Sequence, residues 1–144
     1  MVCSCQQSLY AIRLLRAHGP KGKMLHIIFK ATTLSKLIYA SPAWWGFTSA
    51  QDRDKLEAFL RKARKADLIP LGFPIVEELC EMADYRLFNA VTLNCDHVLH
   101  HLLPKPKVGS MTFRKRSHNY TLPVKQGKMD EANFMCRMLY QNIY

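Results

Sequence analysis

Apolar residues recur at helical spacing in four long stretches of the chain, with polar and charged residues between them. From Ser4 to Ala17 the recurrence is Leu9, Ile12 and Leu15 or Arg16, and His18-Gly19-Pro20 supplies a stop whose glycine suits a left-handed cap. From Lys23 to Ala40, a second stripe runs through Met24, Ile27, Ile28, Ala31, Leu34 and Ile38, leaving Lys30 and Lys36 on other faces. Together these predict an antiparallel helical pair with a short connection. A third helix starts near Ala50, with Leu56, Phe59, Leu60 and Ala63 facing one way. The fourth follows Pro74, with Val76, Leu79, Cys80, Ala83, Leu87 and Val91 on its apolar side. Glu77, Glu78 and Glu81 lie near its positive end, where carboxylates are favoured. Asn94-Cys95-Asp96 then reads as a turn and cap for a short helix, His97 to Leu103, ended by Pro104.

Between the second and third helices lies Tyr39 to Leu56, which contains both tryptophans of the chain. Proline crowds the residue before it, so Ser41-Pro42 predicts that the incoming helix stops near Ala40. Trp44, Trp45 and Phe47 carry a large apolar area in too few residues to form an element of their own, which predicts burial against neighbours, with Gly46 allowing a turn. Ser49 with Asp52 three positions later reads as a capping box that opens the third helix. A hydrophobic wedge between helices is the ordinary reading of this corner; a base-stacking platform is the alternative.

From Pro104 to Lys128 the pattern breaks. Lys105, Lys107, Arg114, Lys115, Arg116, Lys125 and Lys128 occur there without an acidic residue, and large aliphatics are sparse, which predicts an extended arm. Asp130 to Tyr144 is amphipathic again, with Phe134, Met135, Met138, Leu139 and Ile143 on one side. The expected fold is therefore all-α: a small bundle of about four to five helices, an extended basic arm and a C-terminal helix. The expected organisation is a helical region over 1–103, an arm over 104–129 and the terminal helix over 130–144.

Charge and cysteine usage narrow the partners. With 21 Lys and Arg against 11 Asp and Glu the chain carries a formal charge of +10, and 49% of its residues are hydrophobic, which suits one folded domain that meets a polyanion. At 144 residues such a domain buries roughly two-thirds of its unfolded surface. Cys3, Cys5, Cys80, Cys95 and Cys136 form an odd set without regular spacing, so a disulfide framework is not expected and reduced thiols in an intracellular setting, nuclear or cytoplasmic, are. The N-terminal stretch places arginines inside its apolar stripe, unlike a signal peptide, and no apolar run approaches the roughly 20 residues of a membrane span.

Candidate chemistry follows from these patterns. The third helix carries Arg61, Lys62, Arg64 and Lys65 at its C-terminal end. Cations there complement the helix dipole, yet four in five positions exceed what capping needs, so they form a candidate phosphate-contacting face. In the arm, Arg114-Lys115-Arg116 flanked by Phe113, His118 and Tyr120 mixes cations with rings, which suits single-stranded nucleic acid; a nuclear-import signal or a solvated tail looks similar. Asp52 with Asp54, and Glu77 with Glu78, are the closest carboxylate pairs for metal-assisted chemistry, but both sit at helix starts, where capping explains them. Cys95, His97, His100 and His101 form the most metal-like group, without a usual zinc spacing, and no metal or other cofactor is expected. No serine or cysteine nucleophile is paired with a histidine by the sequence, and no glycine-rich phosphate loop is present.

Several of these strings also share a resemblance. Leu37-Ile38-Tyr39-Ala40-Ser41-Pro42-Ala43-Trp44-Trp45-Gly46-Phe47 is similar to the segment after the thumb in reverse transcriptases of non-LTR retrotransposons, in particular jockey-like elements. Glu78-Leu79-Cys80 with Ala83-Asp84 and Arg86-Leu87-Phe88 resembles their next helix, and His97-Val98-Leu99-His100-His101-Leu102-Leu103-Pro104 resembles the segment before their basic arm. Arg116, His118, Asn119, Leu122, Pro123, then Asn133, Phe134, Arg137, Met138, Leu139, Tyr140 and Tyr144 resemble, in order, the end of such reading frames. The resemblance implies a chain that starts beyond the palm of an RNA-directed DNA polymerase. It implies neither polymerase nor nuclease activity, since no catalytic motif of either is matched. The implied partners are RNA or DNA, held through phosphates, and the palm and fingers of a parent polymerase. The rival expectation is a structural or protein-interaction helical module, or an inactive remnant of a mobile element.

Overall fold

A computed structural model of the chain describes residues 2–19, 22–107 and 118–141, and these form an all-α protein. In order, the elements are α1 (Val2–Ala17), α2 (Lys23–Phe29), a π-helical turn (Lys30–Leu34), α3 (Ser35–Ile38), α4 (Ser41–Trp44), a 3-10 turn (Trp45–Phe47), α5 (Ala50–Lys65), α6 (Val76–Leu93), a 3-10 turn (His100–Leu102), α7 (Lys128–Ala132) and α8 (Phe134–Tyr140). They divide into two compact units, Met1–Ser41 with Thr48–Glu81, and Pro42–Phe47 with Met82–Tyr144.

The first unit is built on α5, whose start and stop are both set by local chemistry. Ser49 accepts a hydrogen bond from the Asp52 backbone N–H at 3.2 Å, which caps the helix as its sequence predicts. At the other end, Leu68 N–H donates to Ala63 O and Asp67 N–H to Arg64 O, the paired bonds of a Schellman stop. Asp67 fills the left-handed position at φ 55° where glycine is usual, and Leu68 is fully buried beyond it. Between the caps, Leu56, Phe59, Leu60 and Ala63 are buried, and the Phe59 ring stacks on Phe29 with centroids 6.5 Å apart. From α1 the unit takes Cys5, Leu9 and Ile12 into the core.

Of the stripe expected on the second helix, only Leu34 is buried. Met24 and Ile27 are 64% and 66% exposed, whereas Leu25, Phe29, Thr33 and Leu37 are buried. Those four are spaced by fours, and an unbroken α-helix at 3.6 residues per turn would carry Leu37 about 120° round from Leu25. The π-helical turn takes up part of that drift, because its bonds reach back five residues and it winds more slowly; Ser35 N–H donates to Lys30 O within it. Hydroxyls assist the change: Thr32 Oγ1 donates to Ile28 O at 2.7 Å, and Ser35 Oγ donates to Ala31 O. The single helix expected over Lys23 to Ala40 is therefore α2, a π turn and α3, ending at Ile38 before Ala40 at φ 52°.

In the second unit the aromatic corner is itself helical. Ser41 opens α4 with Pro42 in its first turn, where proline's missing N–H costs nothing. Trp45 is buried and meets Trp44 edge to face at 6.1 Å, but Phe47 is 51% exposed, so the expected burial of all three rings holds only in part. Gly46 lies in the 3-10 turn, as expected, and also allows a close approach: a Cβ there would collide with Ala132 O, at the end of α7. The core of this unit gathers Phe88 of α6 with Met138 and Leu139 of α8, and Leu103, Tyr120, Leu122 and Phe134 pack round it. Helix α8 has its own cap, Asn133 Oδ1 accepting from Met135 N–H at 2.9 Å, which divides the expected terminal helix in two. The short helix expected over His97 to Leu103 contracts to the turn His100–Leu102.

Among the described residues, the stretch after Pro104 is extended but docked. Lys107 N–H donates to Asn119 O at 2.7 Å and Thr121 N–H to Lys105 O at 3.0 Å, pairing Pro106 with Tyr120 in an antiparallel bridge.

Candidate nucleic-acid interface

Charge along α5 is distributed unevenly. In its first half the cations are matched: Lys55 Nζ lies 3.1 Å from Asp52, and Arg53 lies 3.8 Å from Glu77. In its second half they are not. Arg61, Lys62 and Lys65 are exposed, and none of the three forms an ion pair among the described residues. Arg61 and Lys65 stand one turn apart on the same face, with Lys62 beside Arg61.

Arg64, the fourth expected contact, is placed differently. It is half-buried, and its Nη2 donates to Phe73 O at 3.3 Å, so it holds the loop between α5 and α6. The structure thus brings three of the four residues to the solvent and turns the fourth inward. Arg114, Lys115 and Arg116 lie outside the described residues. At the base of that segment Lys105 and Lys107 are exposed.

Of the carboxylate candidates, Asp52 and Glu78 are occupied with helix ends, and Glu77 lies 3.8 Å from Arg53. Asp52 accepts from Ser49 Oγ at 2.7 Å, and this bond, then Lys55, holds its carboxyl below the usual range. Glu78 accepts from Ile75 N–H at 3.2 Å, and Glu57 accepts from Val76 N–H at 3.1 Å, so both satisfy orphan donors at the start of α6. Among the histidines, His97 Nδ1 accepts from Leu99 N–H at 3.1 Å and His100 Nδ1 donates to Val91 O at 2.7 Å. Among the described residues no three histidine, cysteine, aspartate or glutamate side chains are grouped to hold a metal ion. No disulfide joins Cys5, Cys80, Cys95 or Cys136, and burial pushes the Cys5 and Cys136 thiols up. No described helix is long and apolar enough to cross a membrane.

One constellation escaped the sequence reading. Asp84 is buried, and its Oδ2 accepts from Arg137 Nη1 at 2.6 Å, while Arg137 Nη2 donates to Pro42 O at 3.2 Å. Asp84 Oδ1 and Arg137 Nε make no hydrogen bond among the described residues. Burial therefore raises the Asp84 carboxyl above its ordinary range, and Arg137 offsets part of that rise. The available signal was spacing: Asp84 sits four positions after Cys80 and four before Phe88, in line with Val76, inside a row otherwise apolar.

Comparison with protein-family models, with curated proteins and with solved structures returned no match.

Proposed function

We propose that the chain is a non-catalytic, nucleic-acid-binding C-terminal region of a retrotransposon RNA-directed DNA polymerase, gripping phosphates of template, primer or target. The observation that carries this reading is the set of exposed cations Arg61, Lys62 and Lys65 at the end of α5, which have no ion-pair partner among the described residues, in a chain of net charge +10. Phosphate neutralisation needs cations whose countercharge is a mobile ion rather than a neighbouring carboxylate, because release of condensed counterions supplies the affinity. The likeness of Leu37–Phe47 and of the tail to jockey-like reverse transcriptases supplies the biological setting.

The test is binding of the purified chain to fluorescent single-stranded RNA, single-stranded DNA and duplex DNA across a salt series. On a duplex the logarithmic slope should be about −0.9 per neutralised phosphate, and it should flatten when Arg114, Lys115 and Arg116 are changed to alanine. Absence of binding at low salt would sink the proposal.

A protein-interaction module is the second reading. It is favoured by the first unit's apolar exposure: Leu71 is 95% exposed, and Ile27 and Met24 are each about two-thirds exposed. It predicts no salt-dependent nucleic-acid binding.

A further inference from the structure

The second unit contains a pocket of about 360 Å³, toward the lower end of the roughly 300–1,000 Å³ usual for small-molecule sites. Helix α6 contributes Phe88, Asn89 and Thr92 to its wall, and the paired segment contributes His118, Asn119 and Tyr120. The three rings are held in fixed relation. Phe88 and His118 meet with centroids 6.0 Å apart, and His118 and Tyr120 with centroids 5.6 Å apart. His118 is fixed at both nitrogens: Nε2 donates to Leu139 O at 2.8 Å, which leaves Nδ1 to accept from Tyr120 N–H at 3.2 Å. Beside these rings Asn89 and Asn119 carry amides that both donate and accept, and Thr92 Oγ1, which donates to Asn89 O at 3.1 Å, can accept.

Among the described residues, no lysine, arginine, aspartate or glutamate lines the pocket. A small ion gains little from such a wall. A neutral, flat heterocycle gains more, because the wall offers it apolar ring surface together with amides that match donors and acceptors on its edge. Cations stand outside the wall. Lys105 and Lys107 are exposed on either side of Pro106, in the segment bridged to Asn119–Thr121, and exposed Arg86 is one helical turn before Asn89.

We propose that this pocket takes one unpaired nucleobase of a single strand, with the strand's phosphates against Lys105, Lys107 and Arg86. The inference rests on the nucleic-acid reading above and adds a base-accepting site to it. A duplex, whose bases are already stacked and paired, gains nothing from the pocket unless a base is extruded.

The experiment compares, by fluorescence anisotropy, a mixed-sequence RNA oligonucleotide with an abasic strand of the same length and charge. It uses the full chain and its Asn89→Ala and Asn119→Ala variants. Both asparagines are exposed, so the variants keep the fold, which circular dichroism checks. The expected result is binding of the base-bearing strand about tenfold tighter than the abasic one, the order that stacking of a single base supplies. In each variant that preference should shrink while affinity for the abasic strand stays constant. Equal affinity for the two strands in the unaltered chain overturns the base site and leaves the phosphate reading standing. A preference unchanged in both variants overturns its location. No binding of either strand at low salt overturns both readings.

Discussion

Arg137 Nη1 and Asp84 Oδ2 lie 2.6 Å apart, although 53 positions separate them in the chain, and this bond ties α8 to α6 inside the second unit. Asp84 is almost wholly enclosed and Arg137 retains about a fifth of its side-chain exposure, so desolvation falls mainly on the carboxylate. Removing one partner should therefore cost more than replacing both. Arg137→Met is expected to destabilise the protein by roughly 3–5 kcal/mol in urea titrations, and Asp84→Leu with Arg137→Met together by much less, because no buried charge is stranded. A double variant no more stable than Arg137→Met alone would contradict this.

The same pair fixes the sign of a pH effect. With the Asp84 carboxyl raised in the folded state, the native protein keeps a proton over a range in which the unfolded chain has released it. This residue's contribution to stability accordingly declines as pH rises from the ordinary carboxyl range through the raised value. Asp84→Asn should remove that decline from stability measured across mildly acidic pH. A stability profile with the same slope in both proteins would count against it.

Gly46 offers a sharper test of packing. A methyl at this position runs into the Ala132 carbonyl and stands 2.9 Å from the Arg137 guanidinium, and backbone cannot yield as a flexible side chain does. Gly46→Ala is expected to lower stability by about 1–3 kcal/mol, the usual cost of overpacking. Thermal unfolding of the variant is the measurement, and an unchanged midpoint would refute the close approach.

The rotated face of α2 and α3 predicts opposite outcomes at two apolar residues. Leu37→Ala should cost about 2–5 kcal/mol, as for buried leucine, while Met24→Ala should stay within about 0.5 kcal/mol. The reverse order would restore the face expected from periodicity alone.

Why periodicity succeeded on α5 and failed on α2 is physical. On α5 the cap residues Ser49 and Asp52 and the apolar row Leu56, Phe59, Leu60 and Ala63 all act within a turn or two, so local spacing is enough. On α2 the apolar residues nearly encircle the helix, and the choice between faces was made by a π turn and by hydroxyls bonding back to the main chain. The candidate interface divides in the same way. Exposure of Arg61, Lys62 and Lys65 follows from their place on the polar side, whereas Arg64 is drawn inward by a carbonyl of a loop whose position only the folded chain defines. Asp84 and Arg137 are far apart in sequence, and neither names the other.

That division yields a prediction for binding. Arg61, Lys62 and Lys65 changed singly to alanine should each weaken nucleic-acid binding and reduce the salt slope, on a duplex by about 0.9 for each phosphate no longer neutralised, with little change in stability. Arg64→Ala should instead destabilise the fold, since it frees the loop at Phe73. Salt titration and urea unfolding of the four variants separate the two effects.

The bridge between Lys105–Lys107 and Asn119–Thr121 brings the two ends of the intervening chain to one place on the second unit. A stretch whose ends are already joined is a splice point. For inserted sequence that is itself flexible, each doubling of the closed length adds only about 0.6 kcal/mol of closure entropy, while the elements on either side keep their positions. Flexible foreign sequence inserted between Lys107 and His118, such as a tag, should therefore be carried without disturbing the helices that frame it.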